Sequence, residues 1–286
     1  ERMNTRAAPG LLPASFTEPN LMASRFLDAD QKCDFLVIAN YARALRAVAD
    51  HPALDASAKE ARLKAVADVF EDATNAPNTS DDAVTAAMAL KALLTARGLD
   101  VRPAWQMLQA AGQDITKTRY PDWSDTLIWC RFWAAPQARL GFGLLGADEA
   151  TIQRAERFGI AIQLMTSMEN ARSHFVWLGR VYLPERWFRD AHTKVEALGD
   201  TTSTAALKMV FARGAAQVQD LLKSSGPLCP MMPTRRLRIA IALLEMQSVA
   251  LAHAYASNDV LMGAPSLSKI RRAIIFVRGF CRGVWC

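Results

Sequence analysis

Turn-forming residues are scarce in this chain, and so is every short signature of a familiar active site. Fourteen Gly and thirteen Pro in 286 residues are too few for a turn-rich all-β protein, and no segment alternates apolar and polar residues with a period of two. There is no internal repeat and no low-complexity tract. There is no GxSxG, no P-loop and no HExxH. The five cysteines (Cys33, Cys130, Cys229, Cys281, Cys286) form no CxxC pair and no zinc spacing. An odd, scattered count fits reduced thiols in a cytoplasmic protein. His51, His192 and His253 stand alone and carry no expected role. No window approaches the roughly eighteen unbroken apolar residues of a spanning helix, and the opening ERMNTRAAPGLLPASF lacks the apolar run of a signal peptide. The expectation is a soluble, cytoplasmic protein that at most sits peripherally on the inner membrane.

What is present favours helix. Half of the residues are apolar (51%), and Ala, Leu and Arg, all good helix formers, dominate. The breaks are legible: Glu71–Asp82 rich in Asn, Asp, Ser, Thr and Pro, TKTRYPDW around Pro121, LLGADEA with Asp148 as an N-cap, the three prolines of SSGPLCPMMPT, and MGAPSLSK. About eight helical stretches lie between them, most long enough to cross a domain. The reading is all-α: one helical bundle over 1–286, with 1–20 as a flexible lead and 266–286 as a basic C-terminal helix.

The net charge is +6, and its placement says more than its size. From Thr234 onward there are eight bases (Arg235, Arg236, Arg238, Lys269, Arg271, Arg272, Arg278, Arg282) against Glu245 and Asp259, which leaves +6 in that segment alone. Such a tail suits an acidic membrane surface. No nucleic-acid motif accompanies it, so nucleic acid is not an expected partner. In SLSKIRRAIIFVRGFCRGVW, Ile270, Ile274, Ile275, Val277 and Phe280 give an apolar side and the arginines a charged one. The plainer reading is a last bundle helix with a solvated basic face.

Two helical lines could carry chemistry. In the helix that carries NYARALRAVADHP, Ile38, Tyr41, Leu45 and Val48 make one stripe, and Arg43, Arg46 and Asp50 make another. The second stripe reads as a solvated face with an Arg46–Asp50 pair four residues apart, worth a few tenths of a kcal/mol, or as one wall of a binding site. From Thr151 to Trp177 a single apolar helix is expected, with Gln163, Thr166, Asn170 and His174 on one face. That line is either a hydrogen-bonded seam or a cavity wall, because unpaired buried polar groups are costly. Trp123, Trp129, Phe132 and Trp133 read first as core. Arg180 and Tyr182, in the loop GRVYLPERWF, either reach back toward the interior or pin the loop.

These stretches together resemble the squalene/phytoene synthase family, in its bacterial hydroxysqualene synthase branch of hopanoid synthesis. The matching text is NLMASRFL, YARALRAVADHPAL…EARL, DITKTRYPDWSDTLIWCRFWAAPQARL, AIQLMTSMENARSH, GRVYLP, LKSSGPLCPMMPTRRLRIAIALL and PSLSKIRRAIIFVR. The likeness spans nearly the whole chain, and GRVYLP and the DITKTRY-to-AAPQARL block are its most specific parts. It implies an isoprenoid synthase (class I) bundle around a central cavity, in which two acidic clusters hold Mg²⁺ and an allylic isoprenoid diphosphate.

This sequence departs from that pattern. Where the family's first helix reads F-A-R-x-x-D-D-x-x-D, Arg43 and Asp50 match, while Arg46 and Ala47 replace the leading aspartates. Where its second cluster reads Q-x-x-N-x-x-x-D-x-x-x-D, Gln163 matches, and Thr166, Asn170 and His174 replace the rest. The tyrosine of its Y-C-R is Trp129, with Cys130 and Arg131 kept. Mg²⁺ prefers carboxylate and phosphate oxygens, so only Asp50 remains as a ligand. Lost metal stabilisation of the leaving diphosphate predicts a rate lower by powers of ten. Arg43, Arg46, Arg180 and a protonated His174 could bind an anionic headgroup directly, or Arg46 could pair with Asp50 and close the mouth. Three functions follow: a catalytically silent isoprenoid-binding member, to which respiratory-chain assembly factors related to the family are an analogy; an enzyme on farnesyl or presqualene diphosphate with Mg²⁺; or a membrane-surface partner of an active paralogue.

Overall fold

The computed structural model describes residues 23–71 and 80–286. The expectations for 1–20, for the start of NLMASRFL and for most of the Glu71–Asp82 loop fall on residues 1–22 and 72–79, outside the described residues. Among the described residues every regular element is a helix.

The first five helices are α1 (Ala29–Ala49), α2 (Ala56–Phe70), α3 (Asp82–Arg97), α4 (Arg102–Thr116) and α5 (Trp123–Leu144). Then come α6 (Glu149–Glu169), α7 (Ala171–Leu178), α8 (Glu185–Asp190), α9 (Ala205–Ser225), α10 (Arg235–Ser257) and α11 (Lys269–Trp285). Their starts follow from short polar side chains that satisfy the first free N–H groups. Asp28 and Gln31 close a reciprocal capping box on α1. Asp55 caps α2, Asp122 caps α5, and Asp148 caps α6 as expected, at 2.8 Å from the Thr151 N–H. Asp81 caps α3 and also takes both arms of Arg62 at 2.7 and 2.9 Å, which ties α3 to α2.

The helix expected over Thr151–Trp177 is broken at Asn170 (φ −94°, ψ 9°) into α6 and α7. The α-helical bonds Asn170 N–H to Thr166 O (3.0 Å) and His174 N–H to Asn170 O (2.8 Å) continue through it, so the two pieces stay nearly in phase. The GRVYLPERWF segment is loop only to Pro184, after which α8 begins.

Apolar faces assemble in two connected cores. One gathers α1 to α5, with Tyr41, Leu45, Leu90, Met107 and Trp129 at its centre, and takes Ile160 from α6. The other gathers α6, α9 and α10 around Leu164, Met165, Phe211 and Val218. Helix α5 lies along α6, α6 along α9, α9 along α10 and α10 along α11. Close approach is made possible by glycine. A Cβ on Gly159 of α6 would sit 2.8 Å from the Ala138 Cβ of α5, and one on Gly283 of α11 would run into the Ile239 backbone of α10. Helix α10 is long and apolar enough to cross a bilayer by length and composition, although Glu245, Gln247 and His253 interrupt its apolar run. Two thirds of that apolar window (67%) is buried against its neighbours, which is how a core helix behaves.

Candidate functional site: a buried cluster of two arginines and two aspartates

Arg46 leaves the solvated face predicted for it. It is 7% exposed, and Leu45, Val48 and Ala49 are buried beside it on α1. Its Nη1 donates to Asp114 Oδ2 of α4 and, at 2.8 Å, to the Tyr182 hydroxyl. The guanidinium carbon lies 4.2 Å from the Trp133 ring centre and 5.2 Å from that of Trp129. It does not pair with Asp50. Asp50, the C-cap of α1, is held instead by Arg180 Nη1 at 2.6 Å. Arg180 also donates to Tyr182 Oη at 3.1 Å and to the Asp114 backbone carbonyl at 2.5 Å.

Tyr182 is the hub. It accepts from both arginines and donates to Asp114 Oδ2 at 2.9 Å. Its ring stacks on Trp129 at 4.1 Å and meets His174 edge-on at 5.3 Å. Thr126 of α5 fixes the strap that carries it by donating to the Tyr182 carbonyl at 2.8 Å. Tyr120 reaches Asp114 Oδ1 at 3.4 Å. Two guanidiniums thus face two carboxylates in a buried setting, where any one of the four charges left without its opposite would be costly.

The electrostatics follow from that packing. Burial works against the Arg46 charge, but Tyr182, Asp114 and Asp50 outweigh it and its pKa is raised. Burial pushes the Tyr182 and Tyr120 hydroxyls up, so both stay neutral. His174 is brought down to about 3, chiefly by burial and then by the positive charge of Arg46; Asp50 pulls the other way, and Arg180 adds a lesser push down. It is a neutral imidazole at pH 7, so it adds no positive charge to the cluster. Burial pushes the Cys130 thiol up to about 12.

Other expected site residues are elsewhere. Arg43 is exposed and donates back to Asn40 at 2.5 Å, and Arg131 is exposed on the outer side of α5. Gln163 donates to Ser167 at 3.4 Å, Thr166 donates to the Ile162 carbonyl at 3.1 Å, and Asn170 returns its amide to the Thr166 carbonyl at 3.0 Å. These bonds run along the helix itself, and His174 meets the cluster through its edge-on contact with Tyr182. Neither alternative for these arginines is what the structure shows: Arg43 stands outside the cluster, Arg46 and Arg180 hold carboxylates, and the partner of Arg46 is Asp114 rather than Asp50.

Asp114, Tyr120, Thr126 and Trp133 are the site residues that the sequence reading did not single out as site members. The signal for Asp114 was available. Met107 and Ala111 lie on the buried face of α4, and steps of four and three from Met107 arrive at Asp114, so a charge sits where an apolar residue belongs.

The Mg²⁺ implied by the family resemblance does not fit these residues. Position 46 is a guanidinium, 47 an alanine, 170 an amide spent on its own helix and 174 a neutral imidazole. The two carboxylates, Asp50 and Asp114, are each held by an arginine. Among the described residues no three His, Cys, Asp or Glu side chains gather as a metal would need. Four buried polar atoms around the cluster lack a protein partner: Asp50 Oδ2, Trp129 Nε1, His174 Nδ1 and Arg180 Nε.

The fold is that of the all-α class I isoprenoid synthases. The structure superposes on a dehydrosqualene synthase with a TM-score of 0.72 at 15% identity, over 93% of this chain and 95% of the other. It superposes on the squalene synthase of Alicyclobacillus acidocaldarius with a TM-score of 0.67 at 21% identity, over 82% and 86%. In sequence the chain is 28% identical to the hydroxysqualene synthase of Rhodopseudomonas palustris over 240 residues, 84% of this chain and 80% of that protein. The squalene/phytoene synthase family model matches residues 16–271. The chain belongs to the squalene/phytoene synthase family.

Proposed function

We propose that this protein is a catalytically silent or strongly altered member of its family, which binds an isoprenoid lipid without metal. The observation that carries the reading is the pairing of Arg46 with Asp114. The Arg46 guanidinium is paired with Asp114 and Arg180 with Asp50, so both carboxylates of the cluster are already engaged by cations of this chain. Relatives named for squalene, hydroxysqualene and phytoene synthesis make an isoprenoid the natural ligand class.

The same cluster bears on the ligand's polar end. Two arginines and two aspartates cancel, so no net positive charge awaits a diphosphate. The four unpartnered atoms offer two N–H donors (Trp129 Nε1, Arg180 Nε), one carboxylate acceptor (Asp50 Oδ2) and one imidazole nitrogen (His174 Nδ1). Unmet buried groups of this kind are costly, and a hydroxyl headgroup could satisfy both kinds. A neutral prenyl alcohol is favoured over the diphosphate.

The test is direct. Purified protein is incubated with farnesyl or presqualene diphosphate and Mg²⁺, and calorimetry is run with farnesol and with farnesyl thiodiphosphate, each in Mg²⁺ and in EDTA. The expected result is no squalene-type product and binding that EDTA leaves unchanged, tighter for the alcohol. A squalene-type product that is lost in Asp50→Ala overturns the proposal and makes the protein an active synthase.

A further inference from the structure

The last helix has its hydrophobic side turned the wrong way for a bundle helix. Helix α11 docks on α10 through Ile275, Gly279 and Gly283, the buried residues of α11. An added Cβ on Gly279 would come 2.7 Å from the Leu243 Cδ2 of α10. The docked face is thus narrow and built partly of glycine. Steps of four, three, four and four along the opposite face give Ile270, Ile274, Val277, Cys281 and Trp285. Ile270 is 75% exposed, Val277 60% and Trp285 86%. Ile274 and Cys281 are exposed between them. A stripe of large apolar side chains about four turns long therefore faces outward.

Charge tells what would cover it. From Val260 to Cys286 there are five bases (Lys269, Arg271, Arg272, Arg278, Arg282) and no acid. Arg271 and Arg278 are exposed on the flank of the stripe. Arg282 lies 3.5 Å from Glu245 of α10, so it belongs to the docked side. An acid-free apolar stripe with a guanidinium border and a terminal Trp matches the interface of an anionic bilayer, where the apolar residues enter the headgroup boundary and the arginines meet lipid phosphates. A protein partner would be expected to meet some acidic complement on a mixed rim, and this helix offers it none.

We infer that α11 is a membrane-docking surface that lays its Ile270–Trp285 stripe on an anionic lipid bilayer while the helix stays packed on α10. The inference stands on the α11 face alone and does not depend on what the buried cluster binds. It would bring the bundle to the phase in which an isoprenoid is dissolved.

The experiment is co-sedimentation of the full chain with vesicles of phosphatidylcholine alone and of phosphatidylcholine mixed with phosphatidylglycerol, at low and high salt. Binding is expected to the mixed vesicles only, and to weaken with salt. Each base near an anionic surface contributes about fivefold, so Arg271→Glu with Arg278→Glu should weaken binding roughly 25-fold or more. Ile274→Asp with Val277→Asp should abolish it, and these exposed positions leave the fold intact by circular dichroism. Quenching of tryptophan by brominated phosphatidylglycerol should fall in Trp285→Phe. No sedimentation with anionic vesicles overturns the inference, as does binding that neither pair of substitutions alters. A concentration-dependent dimer in lipid-free solution that Ile274→Asp dissolves also overturns it, and assigns the stripe to a second copy of the chain.

Discussion

At the scale of single residues, the cluster is a balance in which each group is tolerable only because of the others. Arg46 alone in this interior would cost several kcal/mol, and so would Asp114. Together, with Tyr182 donating to one and accepting from the other, they persist. His174 shows the same logic from the neutral side. Its pKa falls to about 3 in the fold, against about 6.5 in an unfolded chain, so the unfolded state binds the proton more tightly. The stability that rests on a neutral imidazole is complete above pH 6.5. It is lost progressively as pH falls from there toward 3. Urea unfolding of the native protein at pH 7.0 and 4.5 should show a marked loss at the lower pH. In His174→Gln that loss should shrink by on the order of 2 kcal/mol, one to two units of titration across the window. Equal losses in the two proteins would mean that His174 is hydrated and protonates freely.

At the scale of elements, caps and breaks were the most legible feature of the sequence, because each is set by a few neighbouring residues. Asp148 predicted the start of α6, and Pro121 and the Pro230 region predicted connections. The split at Asn170 was not legible, since the hydrogen-bond register hardly changes across it. The face of α1 was misread for a related reason. Arg46 and Asp50 are four apart, which is the spacing of a surface pair, but their partners lie 68 and 130 residues away. Periodicity within one helix carries no information about such partners. The thiols make the same point. Cys229 and Cys286 look unrelated in sequence, yet the fold brings their sulfurs to 3.2 Å, between the α9–α10 connection and the end of α11. Oxidised glutathione should join them: two thiols surrender two protons and two electrons, and the glutathione disulfide is reduced to two thiols. Intact mass should fall by two hydrogens in the native protein, reversibly with dithiothreitol, and not in Cys286→Ser. A cross-link closing that long loop raises the unfolding free energy by up to roughly 4 kcal/mol. Unchanged mass and a full count of free thiols after prolonged oxidation would refute the expectation.

At the scale of the whole molecule, the cluster stands on the boundary between the two cores. Arg46, Asp50, Asp114, Trp129 and Trp133 come from the first, while His174 reaches in from the end of the α6–α7 rod that anchors the second. The relative placement of α5 and α6 therefore sets the geometry of the site, and Gly159 sets that placement. Its position would bring a Cβ 2.8 Å from the Ala138 Cβ and 3.1 Å from the Ala134 carbonyl oxygen, so any side chain must push the helices apart. Overpacking of this kind costs about 1–3 kcal/mol, which exceeds the gain of up to about 1 kcal/mol from replacing glycine within a helix. Gly112 of α4 is the control, because its nearest neighbour would be a Leu63 methyl at 3.9 Å. Gly112→Ala should stabilise the protein in urea by a few tenths to about 1 kcal/mol, whereas Gly159→Val should destabilise it and separate the unfolding transitions of the two cores in hydrogen exchange. If Gly159→Val instead behaves like Gly112→Ala, the two helices are not in contact at this point, and the position of His174 against Tyr182 must be fixed by the strap 179–184 alone.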